Sequence, residues 1–351
     1  MKHLKLFTTL LTLTVMVVGI QTAVFAASQL EEAAIKEGKV IWYGAWPKKL
    51  MDKVAKAFEA KYPKIDVMVF RSGSSKVAAK FSAEKEAGAV LCDVFTVSDL
   101  SIYLDFKDKG YLEKYTPEEF NKFGEQFRDP DGYWVTPRVY VVGIWYNVEN
   151  LKKAGLEPPP SWRSLTDPKY KDRITLGSPL YSGTSVATVG YFVNEKGWGW
   201  DYWKQVLANN PLLIADTPDI ARTVSTGQRD IGPCIWGYIS MFPPHPKGTI
   251  DVSIPEEGVL SIQSSSALVK DRPHSNAGKF FQKYLMGRET AEIITGDFYY
   301  SGRTDVPPAS GKTSLFDMKT FGVDRVWLKN NKRDIQNTWT QISGEKKKKK
   351  K

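Results

Sequence analysis

Cysteine and histidine are scarce here: two Cys and three His stand among 351 residues. No His/Cys pair has zinc-site spacing, and two cysteines cannot form the framework that staples small secreted domains. A complete phosphate loop is also missing. Gly311-Lys312-Thr313 matches the end of one, but the earlier glycine is absent. Gly183 to Ala187 loosely matches a hydrolase elbow, yet Tyr181-Ser182 after Pro179 reads as a loop where that elbow needs a strand. These gaps weigh against an enzyme, and a secreted serine hydrolase built on Ser185 is a distant alternative. Nor is there excess charge in the body of the chain. The formal charge is +10, but Lys2, Lys5 and the six residues Lys346 to Lys351 supply eight of it, leaving +2 over 27–345. A basic surface for nucleic acid is not implied. The lysine run at 346–351 reads as a solvated tail or an appended remnant.

What remains is ordinary globular material, 42% hydrophobic and 25% charged. The length suggests about two domains, since single cores stop growing near ~250 residues. Lys2, His3 and Lys5 precede an apolar run from Leu6 to Gly19, and small residues follow at Ala23, Ala26 and Ala27. This is the pattern of a signal peptide over residues 1–26, cleaved after Ala26, and it predicts a periplasmic protein. A retained anchor would need ~20 unbroken apolar residues. Thr8, Thr9, Thr12 and Thr14 interrupt the run. No cysteine lies near the cleavage point, which argues against a lipid anchor. After export a bridge between Cys92 and Cys234 is allowed. Both lie in apolar stretches, however, and two buried free thiols are expected.

From Gly38 the chain alternates strand and helix. Val40 to Tyr43 is a short apolar strand, and Leu50, Val54 and Phe58 mark a helix face that must end before Pro63. Strands are expected at 65–70 and 90–97, helices at 77–86 and after Ser98-Asp99. In the second half the spacing predicts strands at 139–146, 174–176 and 259–269. It predicts helices at 182–193, 219–225, 277–285 and 289–295. Pro243 to Pro246 breaks the apolar segment from Ile231 to Met241. Such alternation implies an α/β fold with parallel strands and ligands at their carboxyl ends.

Two turns share one design. Arg71-Ser72-Gly73-Ser74-Ser75 and Ser182-Gly183-Thr184-Ser185 are small, hydroxyl-rich segments that follow strands and open helices. First-turn N–H groups lack intrahelical partners and the dipole makes that end positive, so either turn suits an anion. Taken singly, either turn reads first as plain N-caps with no ligand. One such turn in each half of the chain favours the anion. Trp46, Tyr181, Trp236 and Tyr238, near strand ends and turns, are candidate walls for an organic group.

In this order of segments the chain resembles the periplasmic substrate-binding proteins of ABC importers. The closest group holds ferric-ion, thiamine, 2-aminoethylphosphonate and sugar-phosphate binders. The resemblance spans residues 38–308. It is carried by Arg71 to Ser75, Ala83 to Gly88 leading to Asp93-Val94, Tyr146-Asn147, and Pro160-Ser161-Trp162 with Leu165 to Lys171. Ser182-Gly183-Thr184, Pro255 to Gly258, Pro273 to Ala277 and Arg303 to Val306 complete it. It implies a two-lobed type II α/β fold with a ligand cleft between lobes joined by crossing strands. The first lobe would comprise 27–137 plus 258–308, the second 138–257, with helices over 309–345 packing back. Cys92 and Cys234 would then sit in different lobes. Ferric-ion binders of this group use adjacent tyrosines in the second lobe, whereas the matching Trp236-Gly237-Tyr238 carries one. The pair Tyr299-Tyr300 falls outside the expected position, and an iron site would rest on Tyr238. The expectation is therefore a monomer without a cofactor, capturing a phosphonate, phosphate ester or carboxylate for an inner-membrane permease. Ferric ion is the alternative cargo.

Overall fold

The computed structural model describes residues 29–345 except 195–197, 216, 242–248 and 311. The leader, the Pro243 to Pro246 break and the lysine run lie outside the described residues. A helix over 29–37 (α1) precedes β1 (Lys39–Gly44), α2 (Lys48–Lys61) and β2 (Asp66–Arg71). Leu50, Val54 and Phe58 are buried on α2, which ends at Lys61 with Tyr62 as its C-cap, just ahead of Pro63. Next come α3 (Ser74–Glu86), β3 (Val94–Val97) and α4 (Leu100–Asp108). Gly88 takes a positive φ of 65° where the chain leaves α3, and Asp99 caps α4 by accepting from the Ser101 N–H. As the alternation predicts, β1 runs parallel to both β2 and β3.

The third strand is shorter than expected. It begins at Val94 rather than Val90, because the Asp93 carboxylate accepts the Ile41 N–H at 2.7 Å. A side chain thus occupies the donor that a ladder neighbour would use. The same carboxylate accepts the His274 N–H at 2.8 Å and lies 2.8 Å from His274 Nδ1.

After β4 (Leu112–Glu113) the chain enters β5 (Val135–Asn147), buried along nearly its whole length. Then follow α5 (Val148–Lys153), β6 (Thr175–Gly177), α6 (Gly183–Asn194), α7 (Gly199–Ala208) and β7 (Leu212–Ile214). Next are α8 (Thr217–Ser225), β8 (Ile231–Ile235), β9 (Ile250–Ser253) and β10 (Val259–Val269). α9 (Ser275–Met286), α10 (Arg288–Gly296), β11 (Thr320–Phe321) and α11 (Arg325–Ser343) close the fold. The described part of 309–345 thus carries one helix, α11, which packs on α6 and α7 and also touches α4.

The main sheet has the order β2-β1-β3-β10-β5-β8, with β6 and β7 paired separately. β10 pairs antiparallel with β3 through Ser265 to Leu268, and with β5 through Leu260 to Ser264. The register shifts between Ser264 and Ser266. β5 and β10 are therefore the strands common to both ends of the sheet. Cys92 and Cys234 are both buried and free.

Two carboxylates give this scaffold an acid limit. Burial pushes Glu113 up, but hydrogen bonds and charge from Arg272 and Lys279 outweigh it and hold its carboxyl below the usual value. Arg303 does the same to Asp305. A depressed carboxyl stabilises the fold above its unfolded pKa, and that stability is lost as pH falls through the folded one. Urea midpoints measured from about pH 6 to pH 3 should fall less steeply in Glu113→Gln/Asp305→Asn than in the parent.

Candidate functional site

β5 supplies a lone charge in an apolar strand. Arg138 is 3% exposed, with no carboxylate within 4 Å among the described residues and no hydrogen-bond partner for its Nε. Three rings surround its guanidinium. The centroid of Tyr299 lies 4.1 Å away, that of Tyr140 4.8 Å, and that of Trp46 5.9 Å. Cation–π attraction of this kind offsets part of the cost of burying a charge, at about 0.5–2 kcal/mol per contact.

Tyr238 belongs to the same cluster. Burial pushes its phenol well up, Tyr140 and Tyr299 add to that, and Arg138 pulls the other way. Tyr299 is likewise raised by burial and partly held back by Arg138. Both phenols therefore remain protonated at neutral pH and can donate. The Tyr299 ring lies so close to Gly237 that a β-carbon there would meet it at 2.3 Å. Glycine is what allows this approach.

The first hydroxyl-rich turn connects to Arg138. Ser264 stands directly opposite Arg138 across the β5–β10 ladder, so both side chains share one face of the sheet. Ser98 Oγ donates to Ser264 Oγ at 3.0 Å, and the Ser98 N–H reaches Ser74 Oγ at 3.4 Å. A line of hydroxyls thus runs from the first turn of α3 to the crossing strand. Gly73 is the N-cap of α3 and no side chain caps the helix. The capping explanation of this turn does not apply. Ser72 donates its N–H to Gly44, while Ser75 is exposed. Arg71 is exposed too, and its Nε donates to the Trp46 carbonyl at 3.1 Å. Trp46 itself is fully buried against Trp42.

The second turn is different. Ser182 Oγ accepts the Ser185 N–H at 3.2 Å and bonds Thr217 Oγ1 at 2.7 Å, joining the starts of α6 and α8. Here the N-cap explanation holds, at least for Ser182. Ser185 is buried and lines, with Thr184, Thr188 and Thr217, a cavity of about 20 Å³, room for one water. Gly183 is exposed, and Tyr181 is 40% exposed. Trp236 separates from the group. It packs with Val139, Val141 and Tyr300, on the side of β5 opposite Arg138 and Tyr140.

Sequence reasoning therefore missed Arg138, Tyr140 and Tyr299. For Arg138 a signal existed. It is a single charge inside the apolar run, one residue before the point where the strand was expected to start. Tyr299 had a signal too, as half of the adjacent pair Tyr299-Tyr300, but the pair falls outside the expected position, and only the tertiary fold brings it to β5. Among the described residues no group of three His, Cys, Asp or Glu could hold a metal.

A two-lobed α/β scaffold whose shared strands carry a desolvated cation is the architecture of a binding protein. The sequence profile of the bacterial extracellular solute-binding proteins matches residues 89–316, and the chain belongs to that family. Such proteins work as the solute-binding components of ABC transporters, outside the cytoplasm. An uncharacterised protein of Haemophilus influenzae is 24% identical over 327 residues, covering 87% of this chain and 92% of its own. Among solved structures, iron-bound HitA of Pseudomonas aeruginosa matches with a TM-score of 0.73 at 17% identity, over 86% of this chain and 98% of its own. AfuA of Actinobacillus pleuropneumoniae, a periplasmic binding protein with fructose 6-phosphate bound, matches at 0.73 and 22%, over 88% and 99%. Likenesses at these identities show the fold alone, the type II periplasmic binding fold.

Proposed function

We propose that this protein captures a small organic anion (a phosphonate, a phosphate ester or a carboxylate) between its lobes and delivers it to an inner-membrane permease. The observation that carries the reading is Arg138, a buried guanidinium without a carboxylate partner among the described residues. Burying a charge unpaired is costly, and an anionic ligand is what would repay it. In this reading Ser72, Gly73, Ser74 and Ser75 donate from the first lobe through an uncapped helix start. Ser182, Gly183, Thr184 and Ser185 face the ligand from the second. Tyr140, Tyr238 and Tyr299 contact its organic part, with Trp46 backing Arg138 and Tyr181 at the rim.

The lobes are taken as 27–137 with 258–308, and 138–257, hinged at β5 and β10. The signal peptide is removed near Ala26, and the mature chain acts as a monomer without catalysis. Closure then follows from tighter binding to the closed than to the open form.

A second reading is ferric-ion binding. HitA is iron-bound, and the gathering of Tyr140, Tyr238 and Tyr299 around one point favours it here. Against it stands the guanidinium amid those rings, which repels a trivalent cation. Native mass spectrometry of protein purified from the periplasm separates the two. An organic-sized increment lost on denaturation is the expected result. An iron-sized increment with tyrosinate colour would replace the anion by the metal.

A further inference from the structure

Behind β5, on the face opposite Arg138, two buried hydrogen-bond donors without an acceptor among the described residues lie beside a half-buried amine. Trp236 is 6% exposed and Tyr300 3%, and among the described residues neither Trp236 Nε1 nor the Tyr300 hydroxyl has a hydrogen-bond partner. Their rings meet edge to face at 6.4 Å. Over the Trp236 ring sits Lys312 Nζ, 4.1 Å from the centroid, with no carboxylate within 4 Å among the described residues. Trp236 and Tyr300 share a cluster of apolar side chains that includes Val139, Val141, Leu315 and Met318. Tyr300 is fixed by its backbone pairing with Val139 on β5, Trp236 by the end of β8, and Lys312 by the segment before β11.

We propose that this cluster is a second anion site, for a small monovalent anion of halide size. The three groups offer two neutral donors and one cation, and an apolar lining of this kind would exclude a dianion. Burial lowers the Lys312 amine from its ordinary value, while Asp251, the carboxylate that faces it, acts the other way without reaching ion-pair distance. A bound anion would hold the ammonium charged and accept from the indole and the phenol. Its three donors come from three separate segments that meet at the shared strands, so occupancy ties them together. The site is independent of the cleft cation on the other face.

The probe is chloride, raised from zero to about 200 mM and replaced by gluconate, too bulky to enter, at constant ionic strength. The parent protein should gain about 2–3 °C in Tm across the series. Lys312→Met should lose that gain, Tyr300→Phe should reduce it, and Arg138→Met should keep it. Comparing increments within each variant removes any effect of the substitution on folding. No gain in the parent would overturn the proposal, as would a gain that survives in Lys312→Met. A gain lost in Arg138→Met but kept in Lys312→Met would place the chloride in the cleft and overturn it equally.

Discussion

Arg138→Met should weaken binding of the captured anion by at least about 30-fold while leaving the ligand-free protein as stable as the parent, or more so. The first half follows from charge-assisted hydrogen bonding. Losing the cationic partner of a desolvated anion costs about 2–5 kcal/mol, and 1.4 kcal/mol is a tenfold change. The second half follows from the absence, among the described residues, of a carboxylate within 4 Å of the guanidinium. A methionine of similar reach keeps contact with Tyr140 and Tyr299 and removes an unpaired buried charge. Opposite signs for affinity and stability are the signature of a residue kept for function. Isothermal titration with the solute identified by mass spectrometry, beside urea unfolding of the stripped protein, reads both. Arg138→Lys is the control, because it keeps the charge but not the planar stacking, and it should recover only part of the affinity. Affinity unchanged in Arg138→Met would remove the cation from the site.

Asp93→Ala is expected to cost about 3–5 kcal/mol of stability, the largest effect of any single substitution considered. Asp93 is fully buried and accepts from two backbone N–H groups, those of Ile41 and His274, while contacting the His274 ring. Truncation orphans both donors and unpins the turn between β10 and α9. Asp93→Asn should cost far less, since an amide oxygen can still accept one of them. Burial raises the Asp93 carboxyl, and the Ile41 and His274 bonds pull it back without winning. A raised carboxyl contributes stability that is complete below its unfolded pKa and is lost as pH rises through the folded one. The asparagine variant should lack that dependence, so its deficit should be greatest at acid pH and smaller at neutral pH. Urea midpoints for the three proteins at about pH 4 and pH 7 test this. A full-sized loss in Asp93→Asn at both values would mean that the charge, not the acceptor count, holds the turn.

Much of the architecture was legible in residues 38–308. Helix ends at Pro63 and Gly88, the Asp99 cap and the full extent of β10 all followed from local rules, because steric limits and unpaired end groups act within a turn or two. The beginning of β3 did not follow, since the donor of Ile41 is taken by a side chain from elsewhere in the chain. Of the two hydroxyl-rich turns, the spacing placed both at helix starts correctly. Spacing could not say that Gly73 leaves α3 uncapped while Ser182 caps α6. That difference is set by which residue falls at the cap position, a glycine without a side chain at α3 and a hydroxyl at α6, and only the folded chain fixes where each helix begins.

By itself, then, the sequence determined the alternation of strands and helices, the export signal as an expectation, and the membership of the chain in a family of solute binders. Only the tertiary structure decided which face of β5 each aromatic serves. Strand alternation puts Arg138 and Tyr140 on one side, Val139 and Val141 on the other, and distant segments bring Tyr238 and Tyr299 to the first, Trp236 and Tyr300 to the second. Composition can show an arginine among apolar residues, but whether it has a counter-charge depends on groups far away in the chain. Desolvation and pairing are properties of the folded surroundings, and they are what set Arg138 apart from the other charges and make it the centre of the proposed site.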